Sequence, residues 1–186
     1  MAWTIDKSHS QVEFTVRHMM ISNVRGRFED FSGTVDFDPN DLTTLKIDVT
    51  VNTASINTRD EQRDGHLRSA DFFGADENSA MTFKSTSVEK AGDNHLRVHG
   101  DLSIRGISHP VTLDTEYSGV MTSPWGSTSA GFSAHTKISR KEWGLEWNQV
   151  LEAGGLLVGD EVKINIEVEL LKVAEEVPAP AENATA

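Results

Sequence analysis

A chain of 186 residues with 37% apolar and 25% charged side chains has the length for one domain with a substantial core, and no apolar run in it is long enough to cross a bilayer as a helix. The 29 acidic residues against 17 basic ones leave a formal charge of -12, which repels phosphate backbones and anionic headgroups, so nucleic acid is not an expected partner. Cysteine is absent, which removes disulfides, thiolate nucleophiles and thiolate metal sites. The first residues, Met1-Ala2-Trp3-Thr4-Ile5-Asp6, have neither a basic start nor an apolar stretch of export-signal length, and the expectation drawn from them is a cytoplasmic protein.

Alternation with a period of two dominates the chain and predicts strands with one apolar and one polar face. In Gln11–His18 the residues Val12, Phe14 and Val16 share a face with His18, against Glu13, Thr15 and Arg17. A weaker strand is expected over Phe28 to Phe37, and a clear one carries Leu45, Ile47, Val49 and Val51. Thr58-Arg59-Asp60-Glu61 then has the Thr and Glu spacing of a capping box, and no β-branched residue interrupts Gln62 to Arg68; a short helix is predicted over about 59–68. The adjacent Phe72 and Phe73 either plug one mouth of the fold or form core under a loop.

Strands resume at Met81 to Val88, at Leu96, Val98, Leu102 and Ile104 with Gly100 inside the apolar set, and at Val111, Leu113 and Tyr117. They continue at Ala130, Phe132, Ala134 and Ile138, and end at Val162, Ile164, Ile166, Val168 and Leu170. Turn signals fall at Asp38-Pro39-Asn40, Ala91-Gly92-Asp93-Asn94, Arg105-Gly106 with His109-Pro110 just beyond, and Ser123-Pro124-Trp125-Gly126. About eight strands joined mostly by short links form an all-β up-and-down meander, which removes its exposed edges by closing into an antiparallel barrel. The charged parity, with Lys163 and Glu167 on the last strand, faces solvent. Ala174 to Ala186 is Pro, Ala and Glu without periodicity and is expected to be a disordered tail; the sequon at Asn183 is discounted.

Catalytic patterns do not assemble. There is no nucleophile elbow, no phosphate-cradling glycine loop opening a helix and no zinc-binding helix motif. His95 and His99 share a face, but four residues along a strand span about 13 Å at roughly 3.3 Å each, against metal bonds near 2 Å. No metal site and no cofactor are expected. Asp6, Ser8, His9 and Ser10 hold the residue types of a hydrolytic triad, yet neighbours on a strand point apart, and His9 is expected to bond main-chain groups at the barrel rim. His18, on the apolar face, needs a partner when buried and either orients a ligand or is a satisfied core histidine.

The residues also form an ordered series: Trp3-Thr4-Ile5-Asp6 with His9-Ser10, Val12-x-Phe14-x-Val16-x-His18, Gly26-x-Phe28, Phe31-x-Gly33, Ser55-Ile56-Asn57-Thr58 and Arg63-Asp64-x-His66-Leu67. It runs on through Asp71-Phe72-Phe73, Met81-Thr82-Phe83-x-Ser85, Gly100 to Gly106, and Ile138-Ser139-Arg140-x-x-Trp143-Gly144-Leu145. This series resembles the YceI-like family of lipocalin-like, polyisoprenoid-binding proteins, from Ala2 to about Val173. The resemblance implies an eight-stranded lipocalin-like barrel over 1–173, a helix near one mouth, an apolar tunnel for a long isoprenoid chain, no catalysis, and a frequent homodimer. Many members are exported, whereas this chain starts directly at its Trp-Thr-Ile-Asp segment.

The tunnel wall expected from inward parity and from the resemblance is Val12, Phe14, Val16, His18, Phe28, Phe37, Ile47, Val49, Phe72, Phe73, Phe83, Leu102, Leu113, Phe132, Ala134, Trp143, Ile164 and Ile166. Small residues at inward parity, Gly100, Ala130 and Ala134, are expected to keep the lumen open. The expected partner is an isoprenoid or fatty amphiphile held without catalysis. Two other functions remain open at this point: an enzyme or isomerase using the same tunnel, and a barrel filled by its own side chains.

Overall fold

The computed structural model describes residues 2–174, so the expected tail beyond Ala174, and the sequon, lie outside the described residues. Eleven strands form one sheet: β1 (Ala2–Ile5), β2 (Gln11–His18), β3 (Ser22–Phe28), β4 (Phe31–Asp38), β5 (Asp41–Asn52), β6 (Ile56–Asn57), β7 (Ala80–Lys90), β8 (His95–Ile104), β9 (Ile107–Thr122), β10 (Thr128–Ser139) and β11 (Val158–Lys172). One α-helix, α1 (Glu61–Arg68), lies between β6 and β7. The ring β1-β4-β5-β7-β8-β9-β10-β11 returns to β1 through the pairs Trp3–Lys172, Thr4–Leu171 and Ile5–Leu170, which makes a closed eight-stranded antiparallel barrel. Strands β2, β3 and β6 prolong β1, β4 and β5 toward one end, each after a break.

The breaks explain two differences from expectation. The strand expected over Phe28 to Phe37 is divided at Glu29-Asp30, because β3 pairs with β2 and β6 while β4 pairs with β1 and β5. Strand β1 escapes the alternation argument because four residues are too few to show a period.

Helix α1 starts two residues later than a cap at Thr58 requires. Arg59 has a positive φ of 63° and cannot continue a helix, and Asp60 caps instead, accepting from the Arg63 N–H at 3.0 Å. The Thr58 hydroxyl donates to buried Asp64 at 2.6 Å. Proline 110 lies inside β9 rather than in a turn. The β9–β10 ladder stops at Asp114–His135, so Pro110 sits where its missing N–H deprives no strand partner. The turn itself is Arg105-Gly106, with φ of 55° and 73° at the two central residues.

Two glycines let aromatic rings lie flat on the wall. A Cβ at Gly100 would stand 2.4 Å from Phe83 Cζ, and one at Gly26 would stand 2.3 Å from Phe14 Cζ. Gly100 therefore seats a ring instead of leaving a gap, and Ala130, 1% exposed, is packed into the core. Of the three small residues expected to keep the lumen open, Ala134 alone borders the cavity.

The break between β1 and β2 is a built feature. Asp6 accepts from the Ser8 N–H (2.9 Å) and hydroxyl (2.6 Å), and its other oxygen meets His9 Nδ1 at 2.8 Å. The Ser8 proton thus goes to Asp6, not to His9, and His9 bonds a carboxylate where main-chain partners were expected. Ser10 makes the main-chain bonds: it accepts from the Glu169 N–H at 3.1 Å and donates to the Glu169 carbonyl at 3.3 Å. The ordinary 3.8 of the Asp6 carboxyl falls to about 2, chiefly through the Ser8 hydroxyl and then His9, while His9 is raised above its ordinary 6.5 by Asp6. A depressed carboxyl stabilises the fold above its unfolded pKa and loses that contribution as pH falls through the folded one. The Asp6 contribution is therefore complete above about pH 4 and lost toward pH 2, and that of His9 is complete below 6.5 and lost on raising pH through its higher value. In thermal melts Asp6→Asn should flatten the acid limb between these limits, and the His9 titration followed by NMR should move down in the variant.

Candidate ligand-binding site

Because the long strands alternate, the inner face of the barrel is almost wholly apolar, but it is filled unevenly. At the end where the chain begins, Trp3 stacks on Phe37 with centroids 5.0 Å apart, and Phe37 and Tyr117 pack on Phe132 at 5.2 and 5.0 Å. These rings, with Leu96, Val98 and Leu170, close that end. Beyond Phe132 the inward side chains are mainly Val, Ile and Leu, too short to meet across the lumen. They leave a cavity of about 670 Å³, within the usual range of ligand sites.

The cavity brings together Val12, Phe14, Val16, His18, Phe28, Ile47, Val49, Phe72, Phe73, Phe83, Leu102, Leu113, Phe132, Ala134, Ile164 and Ile166. Two expected wall residues stand elsewhere. Phe37 lies in the ring cluster below the floor. Trp143 packs edge-on against His109 and donates its indole N–H to the Leu102 carbonyl at 2.9 Å, covering the part of β9 that β10 has left. Lys163 and Glu167 are exposed, while Ile164 and Ile166 between them face the cavity.

The mouth is framed by the long connections. Helix α1 places Gln62, Arg63 and His66 at the opening. Arg63 donates from Nε and Nη2 to the Thr58 hydroxyl and carbonyl, both at 2.7 Å. His66 bonds Asp71 at 2.9 Å and meets Phe72 and Trp147 edge-on. Phe72 and Phe73 thus belong to the mouth wall, and Phe73 also packs on Phe28 at 5.8 Å. His18 is half-buried in the same wall, and its side chain makes no hydrogen bond among the described residues.

Sequence reasoning missed the anchor of the opposite lip. Arg140, 3% exposed, donates to the carbonyls of Leu145, Trp147, Val158 and Gly159 and faces Asp160 at 3.7 Å. Burial lowers its guanidinium from the ordinary range, and Asp160 opposes that shift. Asn148 adds two bonds to the main chain of Val158, at 2.7 and 3.0 Å. Leu145, Trp147 and Leu157 enter the wall from this loop, without any period to announce them. Val24, Val51, Val111 and Val162 also line the cavity, and parity alone identifies them.

Elsewhere the kink between β1 and β2 gathers atoms of Asp6, His9 and Glu169 within 4.8 Å of one another. Glu169 was out of reach of local spacing, since only the β1–β11 closure brings it there. His99 is engaged on the outer face, by Thr112 at 2.8 Å and Glu89 at 3.1 Å.

A closed antiparallel barrel, plugged at one end and carrying an apolar cavity open at the other, defines a protein of the lipocalin-like architectural class. The chain matches the family model of the YceI-like domain over residues 3–170 and belongs to that family. A UPF0312 protein of Staphylococcus aureus is 42% identical over 168 residues, 90% of this chain and 95% of the relative. The crystal structure of a Campylobacter jejuni YceI protein superposes with a TM-score of 0.74 at 36% identity, over 85% of this chain and 90% of the other. A polyisoprenoid binding domain from Saccharophagus degradans shares the fold, with a TM-score of 0.66 at 15% identity over 90% and 97% of the two chains.

Replacing Arg140 by Met removes the donor set for four carbonyls and should cost roughly 2–4 kcal/mol. Hydrogen exchange should then show lost protection in the amides of residues 145–157 before it is lost in the barrel strands.

Proposed function

We propose that this protein binds, without catalysis, the apolar tail of an isoprenoid or similar long-chain amphiphile in its cavity and leaves the headgroup at the mouth. One observation carries this: a space of about 670 Å³ is walled almost entirely by apolar side chains along its depth, with Arg17, His18, Asp60, Gln62, Arg63 and His66 gathered at the opening. A tail that loses a few hundred Å² of apolar surface to such a wall gains on the order of 10 kcal/mol before ordering costs are subtracted. The neighbour from Saccharophagus degradans, described as a polyisoprenoid binding domain, supports the choice of ligand class.

Binding accounts for the site better than turnover does. General acid–base chemistry needs paired, convergent groups, whereas Arg63 and His66 are spent on Thr58 and Asp71 and His18 stands alone. Neither metal nor cofactor is required. Storage or carriage is the role such a cavity serves.

Native mass spectrometry of protein purified from its source, followed by organic extraction, should reveal a co-purifying lipid; a ligand-free barrel that takes up no fluorescent isoprenoid analogue would sink the proposal. Ala134→Trp should narrow the lumen and displace the analogue with the fold retained, at a cost of roughly 1–3 kcal/mol if the site is tight. Unchanged affinity would place the ligand path elsewhere. EDTA should leave both melting temperature and analogue binding as they were, despite the Asp6–His9–Glu169 cluster.

A further inference from the structure

The hairpin tip between β2 and β3 breaks two rules of turn chemistry at once. Met19 and Met20 both adopt positive φ, 51° and 64°, in a turn closed by the Ile21 N–H to the His18 carbonyl at 3.2 Å. Such a turn favours Asn-Gly, and methionine there holds backbone strain. All three tip residues are also exposed, Met19 at 43%, Met20 at 59% and Ile21 at 78%. Met20 lies over Gly155, and the Met19 N–H donates to the Leu157 carbonyl at 2.8 Å, so the tip is joined to the loop that presents Val150 and Leu156, 75% and 38% exposed. These five side chains adjoin His18 and Leu157, which line the cavity, and so stand as an exposed apolar lip beside its mouth.

We propose that this lip docks on a lipid bilayer with neutral headgroups and that the cavity is loaded from the membrane through that contact. The inference rests on the lipid-binding function proposed above. Five partly exposed side chains offer on the order of 500 Å² of apolar surface, short of the roughly 800 Å² that each partner of a stable dimer buries but ample for shallow insertion into a headgroup layer. Net charge disfavours an anionic surface, since a chain of -12 is repelled by it at long range, and Arg17, the cation at the tip, is already engaged by the Met20 carbonyl at 3.2 and 3.1 Å. A ligand with a long apolar tail resides in the bilayer, and a lip seated there spares it passage through water.

The test is flotation with phosphatidylcholine vesicles, with and without a fluorescent isoprenoid analogue in the membrane. The parent should float with the vesicles and extract the analogue. Ile21→Asp, and separately Met19→Asn with Met20→Gly, should reduce both by roughly tenfold, while binding analogue added from dilute solution as the parent does. The double variant should melt no lower than the parent, because Asn-Gly relieves the turn, so lost flotation is not unfolding. Trp125, 90% exposed in the turn at the closed end, supplies the control: Trp125→Ser should float normally. Docking at the lip is overturned if the lip variants float like the parent, if Trp125→Ser is the variant that fails, or if the lip variants only convert a dimer to a monomer. If the parent takes up analogue from solution but never floats, docking fails and lipid binding stands; if it does neither, both fail.

Discussion

Three backbone pairs between Trp3–Ile5 and Leu170–Lys172 join the first strand to the last, and everything inside the barrel depends on that closure. An open eight-stranded sheet presents an apolar face and two unpaired edges to water, which invites pairing with other chains. Closing it removes both edges, but β11 then needs a partner along its whole length. Strand β1 serves only its last residues, and β2 takes over from Glu167 to Val158 after a shift in register. The Asp6–Ser10 turn makes this handover. Inside it the Ser10 hydroxyl bonds both main-chain groups of Glu169; the carbonyl also accepts from the Asp6 N–H at 2.9 Å, so it is for the Glu169 N–H that Ser10 stands in for a ladder partner.

The same kink divides the barrel into a filled half and a hollow half. Below it, Trp3 and Phe37 cross the lumen and are 3% and 1% exposed; the Trp3 indole N–H finds no partner among the described residues, an omission that costs about 1–3 kcal/mol. Above it, large rings are kept from crossing. Phe14 and Phe83 lie over Gly26 and Gly100, where any side chain would push them inward. Bulk stays on the wall, and Val and Ile supply a lining too short to fill the centre. The space is thus a product of where glycine stands opposite an aromatic residue, and not of small side chains alone.

Much of this was legible in the sequence because a barrel wall obeys a period of two. Parity identified Val12, Phe14, Ile47, Val49, Ile164 and Ile166 as inward, and the charged partners of the last strand as outward. Parity carries no depth, however, so Phe37 at the plug and Phe132 at the floor look alike in sequence while only Phe132 reaches the cavity. Nor does it reach the segments between strands. Trp143 and Arg140 sit in a single 3-10 helical turn, Arg140–Trp143, whose register against β8 and β11 is fixed by side-chain to main-chain bonds across as many as 41 residues. Local signals misplaced the start of α1 for a related reason: Thr58 had a competing partner in Asp64, six residues on and brought near only by the helix itself.

Connections at the plugged end are tight, with Asp38 and Asp41 paired across one turn and Thr122 and Thr128 across another. At the mouth, two long segments run from Thr58 to Ser79 and from Arg140 to Leu157. An apolar wall gains free energy in proportion to area and is nearly indifferent to which tail provides it. If the cavity holds an amphiphile as proposed, selectivity comes from the mouth, where polar groups would meet its headgroup and an unmatched donor or acceptor costs more than a missing methylene. Arg63 is fixed by two hydrogen bonds to Thr58 and His66 by Asp71, so both reach the opening with little freedom left to lose. His18 reaches the same wall from a strand, and its side chain makes no hydrogen bond among the described residues.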